Sequence, residues 1–197
     1  MVMEIILDRP WIIDRHLGGC LLDGDENSWT PEMWDYIVGK YNIKSVVDIG
    51  AGCGFATEYF HNKGLDVLGV DGCEEVQENF KLKDNFRLND YQDGSALKSF
   101  ESFDLCWSCE FVEHVEEEYS DNFLNDYTHA KYLAITHATP GQGGYHHVNC
   151  QWQDYWIERL EALGFKFDQA ETDRTRQLTD PSKHYNKSGL FFINQNR

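Results

Sequence analysis

The sequence predicts an α/β domain: a mainly parallel sheet with helices on both faces. Three observations carry this reading. From residue 45 onward, short apolar runs alternate with amphipathic stretches of helical spacing, which is the pattern of βαβ units. The segment VVDIGAGCGF at residues 46–55 passes from an apolar run into a glycine turn and then a helical stretch. The chain has 197 residues, 41% hydrophobic and 26% charged, a size and composition that suit one globular domain. No internal repeat or low-complexity linker divides it, so residues 1–42 are expected as an N-terminal extension folded onto a domain of residues 43–197.

Residues 1–29 show little periodicity. Thr30-Pro31 then reads as an N-cap followed by proline at the first helical position. Met33, Trp34, Ile37, Val38 and Tyr41 recur at helical spacing, which predicts an amphipathic helix. Ser45–Ile49 is expected as a strand, Phe55–Lys63 as a helix stopped by Gly64, and Val67–Val70 as a strand. Glu74–Lys81 is expected as a helix, then Asn85–Leu88 and Phe103–Trp107 as strands. Ser120–Tyr127 reads as helix, Tyr132–Thr136 as strand, and Gln153–Leu163 as a strongly amphipathic helix ending at Gly164. Strands at Phe165–Asp168 and Leu190–Ile193 complete the pattern.

Seventeen Lys and Arg stand against 34 Asp and Glu, a formal net charge of −17. Such a field repels a polyanion, so nucleic acid is not expected as the main partner. The start of the chain, MVMEIILDRPW, has neither a basic n-region nor a long apolar h-region, and no apolar run is long enough to span a bilayer. The expected location is the cytoplasm, with no membrane partner. The six cysteines are scattered and read as free thiols rather than a disulfide framework. Oligomeric state is not legible.

The turn Gly50-Ala51-Gly52-Cys53-Gly54 admits three ligand readings. A phosphate loop needs GxxxxGK[ST], and no such lysine follows. A dinucleotide site needs GxGxxG, and here the third glycine falls one residue early. S-adenosylmethionine carries no phosphate, so a tight loop around its amino-acid end suffices, with an acidic residue ending the next strand to accept the ribose hydroxyls. Asp71 lies 21 positions after Gly50, at the end of LDVLGVD. Asp48, within the first strand, is placed to organise the loop or meet the ligand's ammonium.

With these residues in view, positions 46–114 resemble a class I S-adenosylmethionine-dependent methyltransferase. The resemblance runs through VVDIGAGCGF, LGVDG, NDYQDG and FDLCWSCEFVEHV, the last similar to the S-x-EVLEH pattern of small-molecule members. It implies a Rossmann-like doubly wound sheet of seven strands, the last one antiparallel. It also implies site roles. Asp48, Gly50, Ala51, Gly52 and Gly54 would surround the methionine end. Asp71 would hold the ribose, with Gly72 and Cys73 beside the adenine. Asp90 would accept from the adenine amino group, with Tyr91 nearby. Ser108, Cys109 and Glu110 would floor the sulfonium.

For the chemistry, the histidines after the fourth and fifth strands stand out. His114 follows Glu113, and His137, His146 and His147 lie in THATPGQGGYHHVNCQW, whose Gly141, Gly143 and Gly144 suit a closing loop. His147, His146 and His114, in that order, are the candidate general bases for a hydroxyl acceptor. Packing beneath the loop or capping a helix would account for the same histidines. By residue type, His146, His147 and Cys150 with Glu110 or His114 offer a zinc shell. The one short cysteine pair, Cys106 and Cys109, lies along a strand at a spacing that sends the thiols to opposite faces. No metal is expected. DGDENS fails as a calcium loop, because Ser28 replaces the glycine and Trp34 the last glutamate.

Neither the [DN]PP[YF] tetrad of amino-methylating DNA enzymes nor the Pro-Cys of cytosine C5 enzymes is present; the corresponding place reads SCEF. The expected activity is therefore methyl transfer from S-adenosylmethionine to oxygen or nitrogen of a small-molecule, glycan or peptide acceptor. A non-catalytic module binding the donor or its demethylated product, and a dinucleotide oxidoreductase, are the alternatives.

Overall fold

The computed structural model describes residues 11–14 and 16–197, so the reading of the first ten residues lies outside the described residues. Strands β1 (Trp11–Asp14) and β2 (Gly18–Leu21) pair antiparallel as a separate two-stranded hairpin. Helix α1 (Pro31–Tyr41) follows, burying Met33, Trp34 and Ile37. Its start matches the expectation in Pro31. The Thr30 hydroxyl, however, makes no capping bond and is buried without a partner.

The core alternation then runs β3 (Ser45–Ile49), α2 (Phe55–Asn62), β4 (Asp66–Asp71), α3 (Glu74–Asn79), β5 (Phe86–Leu88), β6 (Phe103–Ser108), α4 (Ser120–Tyr127), β7 (Ala130–Ile135), α5 (Gln153–Ala162), β8 (Phe165–Phe167), α6 (Gln169–Gln177), α7 (His184–Ser188) and β9 (Leu190–Asn194). Seven strands form one sheet in the order β5-β4-β3-β6-β7-β9-β8. Every pair from β5 to β7 is parallel, and β9 enters antiparallel between β7 and β8. This is the expected doubly wound α/β sheet.

Side chains explain the two covered faces. In β6, Cys106 packs with Val47, Phe123, Leu133 and Trp156 on one side. Leu105 and Trp107 pack with Trp34, Ile37, Phe60 and Phe191 on the other. Strands buried on both faces read as near-continuous apolar runs, and β3 has four successive buried residues, Val46 to Ile49. Asp48 is the single charge among them. Strand order reverses between β3 and β6, so the crevice beyond their carboxyl ends is the natural ligand site of such a sheet.

Two departures from the expectation concern the ends. Trp11–Asp14 and Gly18–Leu21 pair as a hairpin where no periodicity is visible. Residues 169–177 and 184–188 form helices in the stretch between the two expected strands, where no element was expected. Helix α6 buries Glu171, Thr172 and Thr175, a polar face with no apolar stripe to betray it. Asp168 caps it by accepting from the Glu171 N–H at 2.9 Å, and Lys40 of α1 pairs with Glu171.

Candidate functional site

A cavity of about 580 Å³ opens at the switch point, within the range of small-molecule sites. Its floor is the β3–α2 turn. Gly50, Gly52 and Gly54 all take positive φ, a region open to glycine without strain. The Gly50 and Ala51 N–H groups both donate to the Val70 carbonyl, which ties the turn to the end of β4. A Cβ at Gly50 would stand 2.6 Å from the Phe111 ring, and one at Gly54 would stand 2.7 Å from Phe80. The turn is therefore shaped by what packs behind it as well as by what lies in front.

Two carboxylates face this turn. Asp48 is buried and accepts from the Thr57 hydroxyl at 2.6 Å. Burial raises its pKa to about 7, against the opposing Thr57 bond and with help from Asp71. Asp71 accepts from the Gly52 N–H at 2.9 Å and the Cys73 N–H at 3.1 Å. Burial raises its pKa as well, and these backbone bonds counter the rise. Each Asp71 oxygen keeps lone pairs beyond these bonds.

The walls come from separate segments. Leu17 to Leu21 of the hairpin cover one side, and Leu17 lies against Gly72. The Cys20 and Cys53 sulfurs stand 3.7 Å apart across the hairpin and turn. Trp11, Trp29, Trp34 and Trp107 contribute aromatic surface. Beside them His184 bridges Asp25 at 2.9 Å and Glu110 at 3.3 Å. These two carboxylates raise its pKa against the effect of burial.

Val148 and Asn149 donate to the carbonyl of Glu113, in the turn after β6, at 2.9 and 3.1 Å. This docks the 141–150 loop on the turn after β6 and sets the His147 ring 5.0 Å from that of His114. His114 Nδ1 donates to the His146 carbonyl at 3.2 Å. Burial foremost, with His147 second, lowers the His114 pKa to about 4, so the ring is neutral near pH 7. Glu113 is fully buried with neither carboxylate oxygen hydrogen-bonded. Burial, assisted by Glu110, raises its pKa to about 8. Although no metal was expected, one ligand atom from each of Glu113, His114 and His147 lies within 4.8 Å of the others.

The fold brings Asp48, Gly50, Ala51, Gly52, Asp71, Cys73, Cys109, Glu110, His114 and His147 to this cavity. Gly54 lies behind it as the N-cap of α2. Gly72, Asp90 and Tyr91 line a smaller adjoining recess, which shares Leu17, Asp71, Phe111 and His114 with the main cavity. Asp90 is bonded there to His16 at 2.7 Å. The Tyr91 hydroxyl points away, donating to buried Asp126 at 3.0 Å. Ser108 is fully buried and accepts from the Tyr127 hydroxyl, so its side chain serves the core. The His146 side chain faces Glu116 at 3.8 Å, outside the cavity lining. Cys150 donates weakly to the Gln142 carbonyl and does not join the histidines. The sequence reading missed Leu17, Cys20, Asp25, Phe111 and His184. Asp25 and His184 are 159 residues apart and carry no shared motif.

This sheet order with this glycine turn defines a class: the chain has the class I S-adenosylmethionine-dependent methyltransferase fold. Residues 47–127 match the methyltransferase domain family. Among solved structures, it is similar to a TehB-like SAM-dependent methyltransferase from Corynebacterium glutamicum ATCC 13032 Kitasato, at 18% identity and TM-score 0.62, covering 88% of this chain and 91% of that one. It is also similar to magnesium protoporphyrin IX methyltransferase from Synechocystis PCC 6803 with bound SAM, at 14% identity and TM-score 0.59, covering 84% and 79%. A third is the plantazolicin methyltransferase BpumL in complex with SAH, at 13% identity and TM-score 0.57, covering 84% and 83%. Among curated proteins, none matches by sequence. Among the described residues, no helix is long and apolar enough to cross a membrane.

Proposed function

We propose that the chain is a methyltransferase that binds S-adenosylmethionine and methylates a small-molecule, glycan or peptide acceptor. The observation that carries this is the glycine turn, pinned to the Val70 carbonyl, with Asp48 beneath it and Asp71 beside it in a cavity of matching size. The turn supplies main-chain contact to the methionine end, with Asp48 opposite the ammonium. Asp71, held by two N–H groups, presents its remaining lone pairs to the ribose hydroxyls. The recess holding Gly72 and Asp90 suits the adenine. The donor's positive charge agrees with a wall rich in carboxylates: Asp25, Asp48, Asp71 and Glu110.

Methyl transfer is an in-line displacement, and much of its rate comes from holding the acceptor oxygen or nitrogen on the S–CH3 axis. The cavity beyond the turn, bounded by Trp29, Tyr145 and His147, gives the acceptor its space. His147 is the first candidate for positioning or deprotonating it, with His114 beside it. His146, turned away, is the weaker candidate.

Thermal unfolding with S-adenosylmethionine, and separately with S-adenosylhomocysteine, tests the reading. At about 100 times the dissociation constant, either ligand should stabilise the fold by about 2.7 kcal/mol. Asp71→Ala should abolish most of that gain. No stabilisation by either ligand, or stabilisation by NADH instead, overturns the proposal.

A further inference from the structure

Two clusters of titratable groups border the cavity, close enough that Glu110 of one acts on Glu113 of the other, and they differ in one respect. In the first, His184 satisfies Asp25 and Glu110 by direct contact. In the second, Glu113 has no such partner. It is 0% exposed and both its oxygens lack a hydrogen bond. A buried carboxyl group without partners is costly, and the cost is relieved by a proton or a cation. Among the described residues, no Lys or Arg lines this cavity. What does stand beside Glu113 is a pair of imidazoles, and Nδ1 of one of them, His147, is also buried and unpartnered.

We propose that Glu113, His114 and His147 bind a divalent first-row transition-metal ion, and that this ion holds a hydroxyl oxygen of the acceptor. The donor set of one carboxylate and two imidazoles suits zinc, manganese, iron or cobalt in the divalent state. Three protein ligands leave coordination positions open. Two of the three, His114 and His147, line the cavity that also contains the glycine turn. Ligand atoms around a tetrahedral ion with bonds of about 2.1 Å lie about 3.4 Å apart. The observed separations, within 4.8 Å, need to contract by little more than an ångström. The loop bearing His147 contains Gly141, Gly143 and Gly144, so it has the freedom to close by that amount.

The supports are those of a ligand site. The His146 carbonyl takes the Nδ1 proton of His114, so the neutral ring carries its lone pair on Nε2. The Glu113 backbone carbonyl anchors Val148 and Asn149, which places His147 relative to the other two. His146 and Cys150, which the residue types alone would also offer, are directed elsewhere.

The chemical consequence rests on the methyltransferase reading and narrows it to oxygen acceptors. An oxygen bound to a divalent ion loses its proton more readily, as bound water does. The acceptor hydroxyl gives its proton to solvent. Its lone pair then forms the new O–CH3 bond as the S–CH3 bond breaks, and the bonding pair stays on sulfur. The products are a methyl ether, S-adenosylhomocysteine and one proton.

Cobalt(II) titration of chelator-treated protein, read by visible absorption, tests the site without any methyl transfer. One equivalent per chain should bind and give a ligand-field spectrum. Glu113→Gln and His147→Gln should each weaken binding at least tenfold, whereas His61→Ala, on the exposed side of α2, should not. Circular dichroism checks folding, and His147→Gln, at a half-buried position, keeps the test open should Glu113→Gln not fold. Absence of binding at millimolar cobalt(II), or unchanged binding in both folded variants, overturns the proposal and leaves Glu113 as a protonated acid. S-adenosylmethionine binding is measured in the same samples. Its presence without cobalt binding sinks only the metal site, and its absence sinks the methyltransferase reading.

Discussion

Asp48 shows how much of the site is visible one residue at a time. Its place in a run of apolar residues marks it at once as a carboxylate with a task. The sequence does not reveal that Thr57, nine positions on, donates to it at 2.6 Å. Folding raises its pKa from 3.8 to about 7. The folded state therefore binds more protons than the unfolded chain between those values, and Asp48 costs stability as pH rises through that window. Asp48→Asn should remove this cost, by on the order of 4 kcal/mol at pH 8 and much less at pH 4. Urea denaturation of both proteins at the two pH values measures the difference. Donor affinity should move the opposite way. The ammonium needs the ionised carboxylate, so wild-type affinity should rise as pH increases toward 7, and calorimetry in buffers of different ionisation enthalpy should detect proton release. Gly54 gives a simpler expectation. Its φ of +83° and the Phe80 ring 2.7 Å from a virtual Cβ should make Gly54→Ala cost about 2 kcal/mol.

Among the elements, legibility followed hydrophobic pattern. The strands of the parallel core and helices α1, α2 and α5 announce themselves by apolar runs or stripes, and their bounds fell within a few residues of expectation. The hairpin did not, because Gly18 and Gly19 break any alternation and its contacts are with distant parts of the chain. Helix α6 did not, because its buried face is made of threonine and glutamate. The same limit applied to the site. The motif residues of the β3–α2 turn and the end of β4 are local and readable. The Asp25–His184–Glu110 bridge joins three remote segments and exists only once the sheet has brought them together. The hairpin is hydrogen-bonded as its own two-stranded unit, apart from the main sheet. Removing residues 1–22 should therefore leave a cooperative unfolding transition and the circular dichroism of an α/β protein, while weakening donor binding at least tenfold. Isothermal titration of the truncated chain checks this. An unchanged dissociation constant would show that the hairpin is ornamental.

For the molecule as a whole, the net charge of −17 acts on stability and on partners alike. Like charges repel within a compact chain, and salt screens them over about 10 Å at 0.1 M. The thermal midpoint should therefore rise by a few degrees from 10 mM to 150 mM NaCl, as scanning calorimetry would show. A fall would mean that attractive pairs such as Arg87 with Glu101 outweigh the repulsion.

The separateness of the hairpin carries a kinetic consequence. Its residues form one wall of the chamber and share no rung with the seven-stranded ladder; Ile12 is held instead by apolar contact with Cys53, Val76 and Phe80. Under the proposed function, exchange of spent for fresh donor is expected to require this apolar contact to open, and that opening to be slower than bond making. The first turnover should outrun those that follow, leaving a burst of methylated product before the slower steady state.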